Sequence, residues 1–172
     1  MPPSNRYVRP MTLRSVPVQV DPSNPGTVIR VALGVETVLN IVVGGYIVFC
    51  PQHFVGLLVS TPAMITPSLI AAVRQYGAFA TSLAVPTALG IPNTRRGIES
   101  RVTVYAFLGS AEVCITLVSL YLALVGGDGS GFSKTAMLAS AAAFASGLSW
   151  RLLVLLVYPQ WLGAYRLSAK EE

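Results

Sequence analysis

Charged residues are scarce in this chain of 172 residues: Asp, Glu, Lys and Arg make up 11% of it, whereas hydrophobic residues make up 53%. A soluble domain usually carries about 25% charged residues. The composition therefore predicts a protein that lies in a lipid bilayer. Because long apolar segments take up most of the chain, we expect no separate soluble domain.

Histidine and cysteine are also rare, since His53 is the only histidine and Cys50 and Cys114 are the only cysteines. A single histidine excludes a histidine-rich metal site, and the chain has no HExxH motif, zinc-ligand spacing or nucleotide-binding loop. We therefore predict no metal and no cofactor. Cys50 ends the first apolar segment while Cys114 lies deep in the third, and this difference in depth argues against a disulfide.

The chain lacks a basic stripe with interleaved aromatic residues, although its formal net charge is +5. Its arginines instead flank the apolar segments, where positive charge orients a membrane protein. We therefore predict no nucleic-acid partner. The partners that remain are the lipid bilayer and, within it, a lipophilic ligand or a membrane partner protein.

Four apolar segments are long enough to cross a bilayer as helices, which takes roughly 20 residues for a hydrocarbon layer of about 30 Å. They are residues 28–49, 68–91, 102–125 and 135–158. Their length and the absence of period-two alternation argue against a β-barrel. The predicted fold is all-α, an integral membrane four-helix bundle that occupies residues 28–158.

Less apolar segments flank and connect these helices. Prolines recur through residues 1–27, which predicts a disordered N-terminal tail. Residues 159–172 form a predicted cytoplasmic tail, in which Trp161 and Tyr165 suit the headgroup region. The segment 50–67 is apolar but too short and too interrupted by prolines to cross, which predicts an interfacial or partly re-entrant loop.

The basic residues predict the orientation in the membrane, because cytoplasmic loops carry an excess of Lys and Arg. Only Lys134 falls on the side opposite to the termini. The basic residues on the predicted cytoplasmic side are Arg6, Arg9, Arg14, Arg30, Arg95, Arg96, Arg101, Arg166 and Lys170. Both termini are therefore predicted to be cytoplasmic, in an endomembrane or the plasma membrane. A mitochondrial membrane is less favoured, because the N-terminal prolines would interrupt an amphipathic targeting helix.

Each apolar segment contains one charged residue away from its ends, in chain order Glu36, Arg74, Glu112 and Arg151. A charge at the centre of an isolated membrane helix costs about 2.5–3.5 kcal/mol, so pairing is expected. At a rise of 1.5 Å per residue, Glu36 lies roughly 12 Å and Arg151 about 10 Å from the cytoplasmic ends of their helices. Glu112 then lies near mid-bilayer and Arg74 about 9 Å from the outer end. We therefore predict the ion pairs Glu36–Arg151 and Glu112–Arg74.

Polar and small residues share a helix face with each of these charges, which is typical of contacts between membrane helices. Asn40 follows Glu36 by four residues, Thr81 lies on the face of Arg74, and Thr116 follows Glu112 by four. We predict that these three residues and the four charges form a polar seam inside the bundle.

Three stretches carry a family resemblance: "GGYIVFCPQHF" (44–54), "AVRQYGAFATSLAVPTALGIPNTRRGIESR" (72–101) and "FLGSAEVCITL" (107–117). The chain resembles the small DoxX-like four-helix membrane proteins, and especially a related fungal-type group of unknown function. The resemblance implies a four-helix bundle and assigns no catalytic residue.

Three functions are compatible with these features. The first is a non-enzymatic membrane protein of structural, accessory or partner-binding type, favoured because nucleophile motifs, histidine clusters and paired cysteines are missing from the sequence. The second is a small membrane enzyme, an isomerase or cyclase of secondary metabolism that uses Glu36 or Glu112 as an acid on a lipophilic substrate. The third is a transporter or channel subunit. A cavity that reaches the carboxylates would favour an enzyme, and carboxylates closed over by arginine would favour a structural bundle.

Overall fold

The computed structural model describes residues 19–166, so most of the predicted N-terminal tail and the end of the C-terminal tail lie outside the described part. Most of the described chain is helical. The elements are β1 (Gln19–Val20), α1 (Thr27–Phe49), α2 (Pro51–Leu58), a 3-10 turn (Pro62–Met64), α3 (Pro67–Ser82), α4 (Ala84–Leu89), α5 (Arg95–Leu124), a 3-10 turn (Gly127–Ser130), α6 (Lys134–Leu152), a π-helical turn (Leu153–Val157), a 3-10 turn (Pro159–Leu162) and β2 (Tyr165–Arg166).

Within residues 19–166, three stretches of helix are long and apolar enough to cross a membrane, namely Thr27–Phe49, Arg95–Leu124 and Lys134–Val157. Their large apolar side chains mostly face outward; in α1 only four of the 23 residues are buried. An exposed apolar surface of this extent suits lipid rather than water. The described part of the chain is therefore helical, with three candidate membrane-spanning helices.

The second predicted span, residues 68–91, is divided into α3 and α4 at Leu83. Pro86 has no N–H for the Ser82 carbonyl, and its ring crowds the preceding turn. α3 accordingly ends at Ser82, and with 16 residues it is shorter than a crossing helix. By length and composition, three helices of the described chain qualify as membrane spans, rather than the predicted four.

Glycines bring α1 and α3 into close contact. A Cβ built on Gly44 would lie 2.6 Å from the Thr81 backbone nitrogen, and one built on Gly77 would lie 2.8 Å from Ile47 Cβ. Both glycines are buried. The two helices therefore approach more closely than any side chain at these positions would allow.

The chain passes back and forth between two ends of the molecule. At one end Arg30 at the start of α1 donates to the Ile91 carbonyl just after α4, and β1 pairs antiparallel with β2. At the other end the Ser60 amide donates to the Gly131 carbonyl at 3.0 Å, which joins the loops before α3 and α6. α3 and α4 together therefore run antiparallel to α1, and α6 runs antiparallel to α5.

A small apolar core closes the end that holds β1 and β2. Ile29 and Leu33 of α1 pack with Tyr105 and Leu108 of α5, and all four are almost fully buried. Val154 of the π-helical turn completes the cluster. This core holds the first turns of α1 against α5 and the end of α6. It lies beside Arg151, because Tyr105 of the core contacts the guanidinium of that residue.

Candidate intramembrane ligand site

Arg151 brings two acidic residues together from different helices. Its Nη1 lies 3.2 Å from Glu36 Oε1 on α1, and its Nε lies 2.8 Å from Glu112 Oε2 on α5. The side chain of Arg151 is 7% exposed, against 20% for Glu36 and 12% for Glu112. We call these three residues the charged triad. It joins α1, α5 and α6, the three candidate membrane-spanning helices.

Small and aromatic neighbours make room for the triad and orient it. A Cβ on Gly147 would lie 2.7 Å from Glu112 Oε1, so this glycine leaves the space that the carboxylate fills. The guanidinium carbon of Arg151 lies 5.1 Å from the centre of the Tyr105 ring, a cation–π contact. Tyr105 is held in turn by a 3.3 Å hydrogen bond from Trp150 Nε1 to its hydroxyl.

A cavity of about 280 Å³ opens onto all three triad residues. Its walls are apolar and come from α1, α3, α5 and α6. They include Leu39, Val43, Phe79, Leu83, Ala111 and Phe144. Since ligand pockets combine apolar walls with a few converging polar groups, this cavity has the composition of a small-molecule site.

The polar seam predicted from the sequence is only partly assembled around this cavity. Asn40 lines it one turn beyond Glu36 and makes no hydrogen bond to any residue in the described range. Thr81 donates to the Gly77 carbonyl of its own helix at 2.9 Å. Thr116 has a buried hydroxyl oxygen without a hydrogen-bond partner among residues 19–166. Asn40 is thus the seam residue available to a ligand.

The structure corrects the predicted pair of Glu112 with Arg74. Arg74 is exposed on α3, and its Nε donates to the Val48 carbonyl of α1 at 3.2 Å. Glu112 instead contacts Arg151. The reason lies in helix order, because α3 packs on α1 while α5 packs on α6. The two carboxylates therefore share a single arginine.

Sequence reasoning missed the role of Arg101, which it treated as a basic residue of a cytoplasmic loop. Helix α5 begins seven residues earlier than the apolar run, with the Thr94 side chain accepting from the Gly97 amide. Arg101 therefore lies inside the helix and is fully buried. It donates to the Gly90 and Leu162 carbonyls at 2.9 and 2.7 Å and to Asn93 Oδ1 at 2.8 Å.

Two glycines with positive φ, Gly26 at 66° and Gly163 at 87°, pack on this guanidinium. A Cβ at either position would lie 2.7 Å or less from Arg101 Nη1. Glycine is the residue that tolerates such a conformation and such close approach. Because these glycines lie far from Arg101 along the chain, neither hydropathy nor residue spacing indicates the contact.

Tyr165 of β2 closes the same end by donating to the Glu99 carboxylate, which also receives a 3.0 Å contact from Arg95 Nε. The hydrogen bond to Glu99 raises the pKa of the Tyr165 hydroxyl above its usual value. The sequence predicts Tyr165 as a headgroup anchor, whereas in the structure its hydroxyl contacts the Glu99 carboxylate.

Among residues 19–166 there is no group of three or more His, Cys, Asp or Glu side chains placed to hold a metal ion. His53 contacts the hydroxyl of Tyr46, and both cysteines are free and exposed.

Comparison with protein-family models, with curated proteins and with solved structures gives no match for this chain. The resemblance to the DoxX-like proteins therefore stays a prediction.

Proposed function

We propose that this is a multi-pass membrane protein that binds a small lipophilic molecule in the cavity above the charged triad. The observation that carries the proposal is the contact between an apolar cavity and three buried charged side chains. Its volume of about 280 Å³ lies just below the range of about 300–1,000 Å³ for ligand sites. The site thus suits a small ligand or one end of a longer lipid.

A structural role for the triad is compatible with this proposal but does not account for the cavity. Arg151 links α1, α5 and α6, and buried ion pairs can fix the arrangement of helices. Such a role would be served equally well with Arg151 enclosed by packed side chains. The open space beside Glu36 and Glu112 favours ligand binding, as does the Asn40 amide, which has no hydrogen-bond partner among residues 19–166.

We further propose that α3 and α4 act together as a fourth crossing. The pair covers residues 67–89. Taken together across the break at Leu83, these residues are long enough to span the hydrocarbon layer. The hydrogen bonds of Arg74 to Val48 and of Arg30 to Ile91 support this, because they place α3 and α4 alongside opposite ends of α1.

Filling the cavity tests the binding function. Ala111 lines the cavity, whereas Ala106 on the same helix is exposed outside it. We expect Ala111→Phe to lower binding of 1-octanol at least tenfold, because the ring occupies the ligand's space, while Ala106→Phe binds like wild type. Native mass spectrometry of the intact chain in lipid nanodiscs would count the bound probe. Equal occupancy in the two variants would contradict the proposal.

A second candidate is an isomerase or cyclase, favoured by the two carboxylates that share one arginine. A carboxylic acid in such a site can donate a proton to an alkene. In D2O, wild-type protein would then transfer deuterium to an acyclic isoprenoid alcohol such as geraniol, and Glu36→Gln or Glu112→Gln would remove that transfer. If no deuterium is transferred, binding remains the function that the cavity supports.

A further inference from the structure

With both of its carboxylates ionised, the charged triad would carry one more negative charge than positive charge. Glu36 and Glu112 are both in contact with Arg151, whose single guanidinium can balance only one of them. In an apolar cavity an unbalanced charge is costly, so one further positive charge is expected at the site. The identity of that charge determines the class of ligand.

Other basic side chains in the described range do not supply it, because Arg151 is the only basic residue that lines the cavity there. Arg74 donates to the Val48 carbonyl, and Arg30 and Arg101 donate to carbonyls at the end that holds β1 and β2. Among residues 19–166, the other polar side chains that line the cavity or contact Arg151 are neutral: Asn40 on α1, Tyr76 on α3 and Tyr105 on α5.

We propose that the cavity takes a lipophilic amine, whose ammonium group supplies the positive charge that Arg151 leaves missing between Glu36 and Glu112. This inference rests on the proposed ligand-binding function and names its ligand class. An ammonium has three N–H donors, which suits a site with carboxylate oxygens and the Asn40 amide oxygen, which accepts no hydrogen bond from the described residues. The apolar walls take the hydrocarbon part.

The size of the cavity sets the length of a suitable probe. If each non-hydrogen atom takes about 30 Å³, as a water molecule does in the liquid, the cavity holds roughly nine such atoms. Octylamine has that size and is protonated at neutral pH, as the lysine side chain is. 1-Octanol and octanoate match it in length while replacing the cation by a neutral or an anionic head.

When no amine is bound, a proton on the carboxyl group of Glu36 or Glu112 is the competing source of positive charge. The ammonium replaces the carboxyl proton, so that one proton is released to solvent for each amine bound and the charge of the site is unchanged. Octylamine should therefore bind more tightly in mildly alkaline than in mildly acidic buffer. 1-Octanol should show a weaker dependence on pH, because it releases no proton.

The test compares the three probes on the full chain in nanodiscs of neutral lipid. We expect octylamine to bind at least tenfold more tightly than 1-octanol, and octanoate to bind most weakly. Glu36→Gln and Glu112→Gln should reduce the ratio of amine to alcohol affinity to about one. Both variants leave the triad with balanced charge, so they are expected to fold. Glu99→Gln is the control, because it makes the same change on an exposed carboxylate outside the cavity.

The outcomes separate this inference from the proposed function. Equal affinities for all three probes in wild type, or tightest binding of octanoate, would overturn the amine while leaving ligand binding in place. Binding of none of the probes above the level of Ala111→Phe would reject the binding function itself. An amine preference that persists in both glutamine variants would place the cation elsewhere and reject the assignment to the triad.

Discussion

At the scale of the residue, the charged triad has one base for two acids, and this asymmetry makes its members unequal. Removing Arg151 leaves two buried carboxylates facing each other, whereas removing one carboxylate leaves a balanced pair. Truncating one partner of a buried pair costs about 3–5 kcal/mol when an uncompensated charge remains. Arg151 is therefore the residue on which the stability of the triad depends.

We predict that Arg151→Gln lowers the free energy of unfolding by about 3 kcal/mol or more, and that Glu36→Gln lowers it much less. The measurement is reversible unfolding of both variants in the same detergent mixture. If Glu36→Gln is as destabilising as Arg151→Gln, the charge asymmetry does not govern stability.

Arg101 is a second buried arginine, and neutral oxygens rather than carboxylates surround it. Its neighbours are backbone carbonyls and the Asn93 side chain, drawn from the segment after α4 and from the 3-10 turn at Leu162. Lysine carries the same charge but has three donors on one nitrogen instead of a planar fork of five. It cannot reach acceptors on both sides at once.

We predict that Arg101→Lys destabilises the protein by about 2–3 kcal/mol, because at least one buried carbonyl is left without a donor. Arg96→Lys, at an exposed position of the same helix, should be neutral. Thermal unfolding in detergent measures both. A neutral Arg101→Lys would mean that positive charge alone, as in a topology signal, explains this residue.

At the scale of the element, the contact between α1 and α3 depends on glycine rather than on charge. Gly77 has no space for a methyl group next to Ile47 and the Val48 backbone nitrogen, whereas a methyl group added at Gly45 would have nothing within 4 Å. Overpacking of this kind costs about 1–3 kcal/mol.

We predict that Gly77→Ala destabilises the chain by about that amount and that Gly45→Ala leaves stability unchanged or slightly higher, since alanine favours helix. Unfolding of the two variants in parallel gives the comparison. Equal stabilities would show that α3 can move away from α1 without cost.

The helices differ in how well their bounds follow from the sequence. Apolar runs predict residues 28–49 and 135–158, close to the observed Thr27–Phe49 and Lys134–Val157. The start of α5 is missed, because its first two turns are polar and hydropathy detects only the lipid-facing part. Pro86 indicates that the second predicted helix is interrupted. The interruption lies at Leu83, about one turn before the proline, because the proline ring crowds the preceding turn and Pro86 has no N–H for the Ser82 carbonyl.

In the candidate site, too, the position of a residue along its helix can be predicted, whereas the packing of one helix against another cannot. Depth along the helix is encoded by position in the apolar run, and it places Glu36 and Arg151 at one level, where the structure has them in contact. The neighbours of each helix are set by tertiary packing, which residue spacing does not contain. For that reason the predicted pair of Arg74 with Glu112 is wrong, and the sharing of Arg151 could not be anticipated.

At the scale of the whole molecule, the antiparallel pairing of β1 with β2 places both ends of the described chain at one face. We predict that fluorescent tags fused to the two termini report the same side of the membrane, which basic-residue counts indicate to be the cytoplasm. Protection of each tag from externally added protease in sealed vesicles measures this. Tags on opposite sides would contradict both the strand pairing and an even number of crossings.

The adjacency of Gln19 and Arg166 in that strand pair has an architectural consequence. A short peptide could join them into a continuous backbone, and the exposed turn at Pro62–Met64 is a natural place to open new ends, as exposed turns tolerate such cuts. The rearranged chain would keep every helix contact while its first and last residues emerged at the opposite end of the molecule, where the Ser60 amide donates to the Gly131 carbonyl. The chain ends would thus move to the opposite end of the molecule without a change to any side chain of α1, α3, α5 or α6.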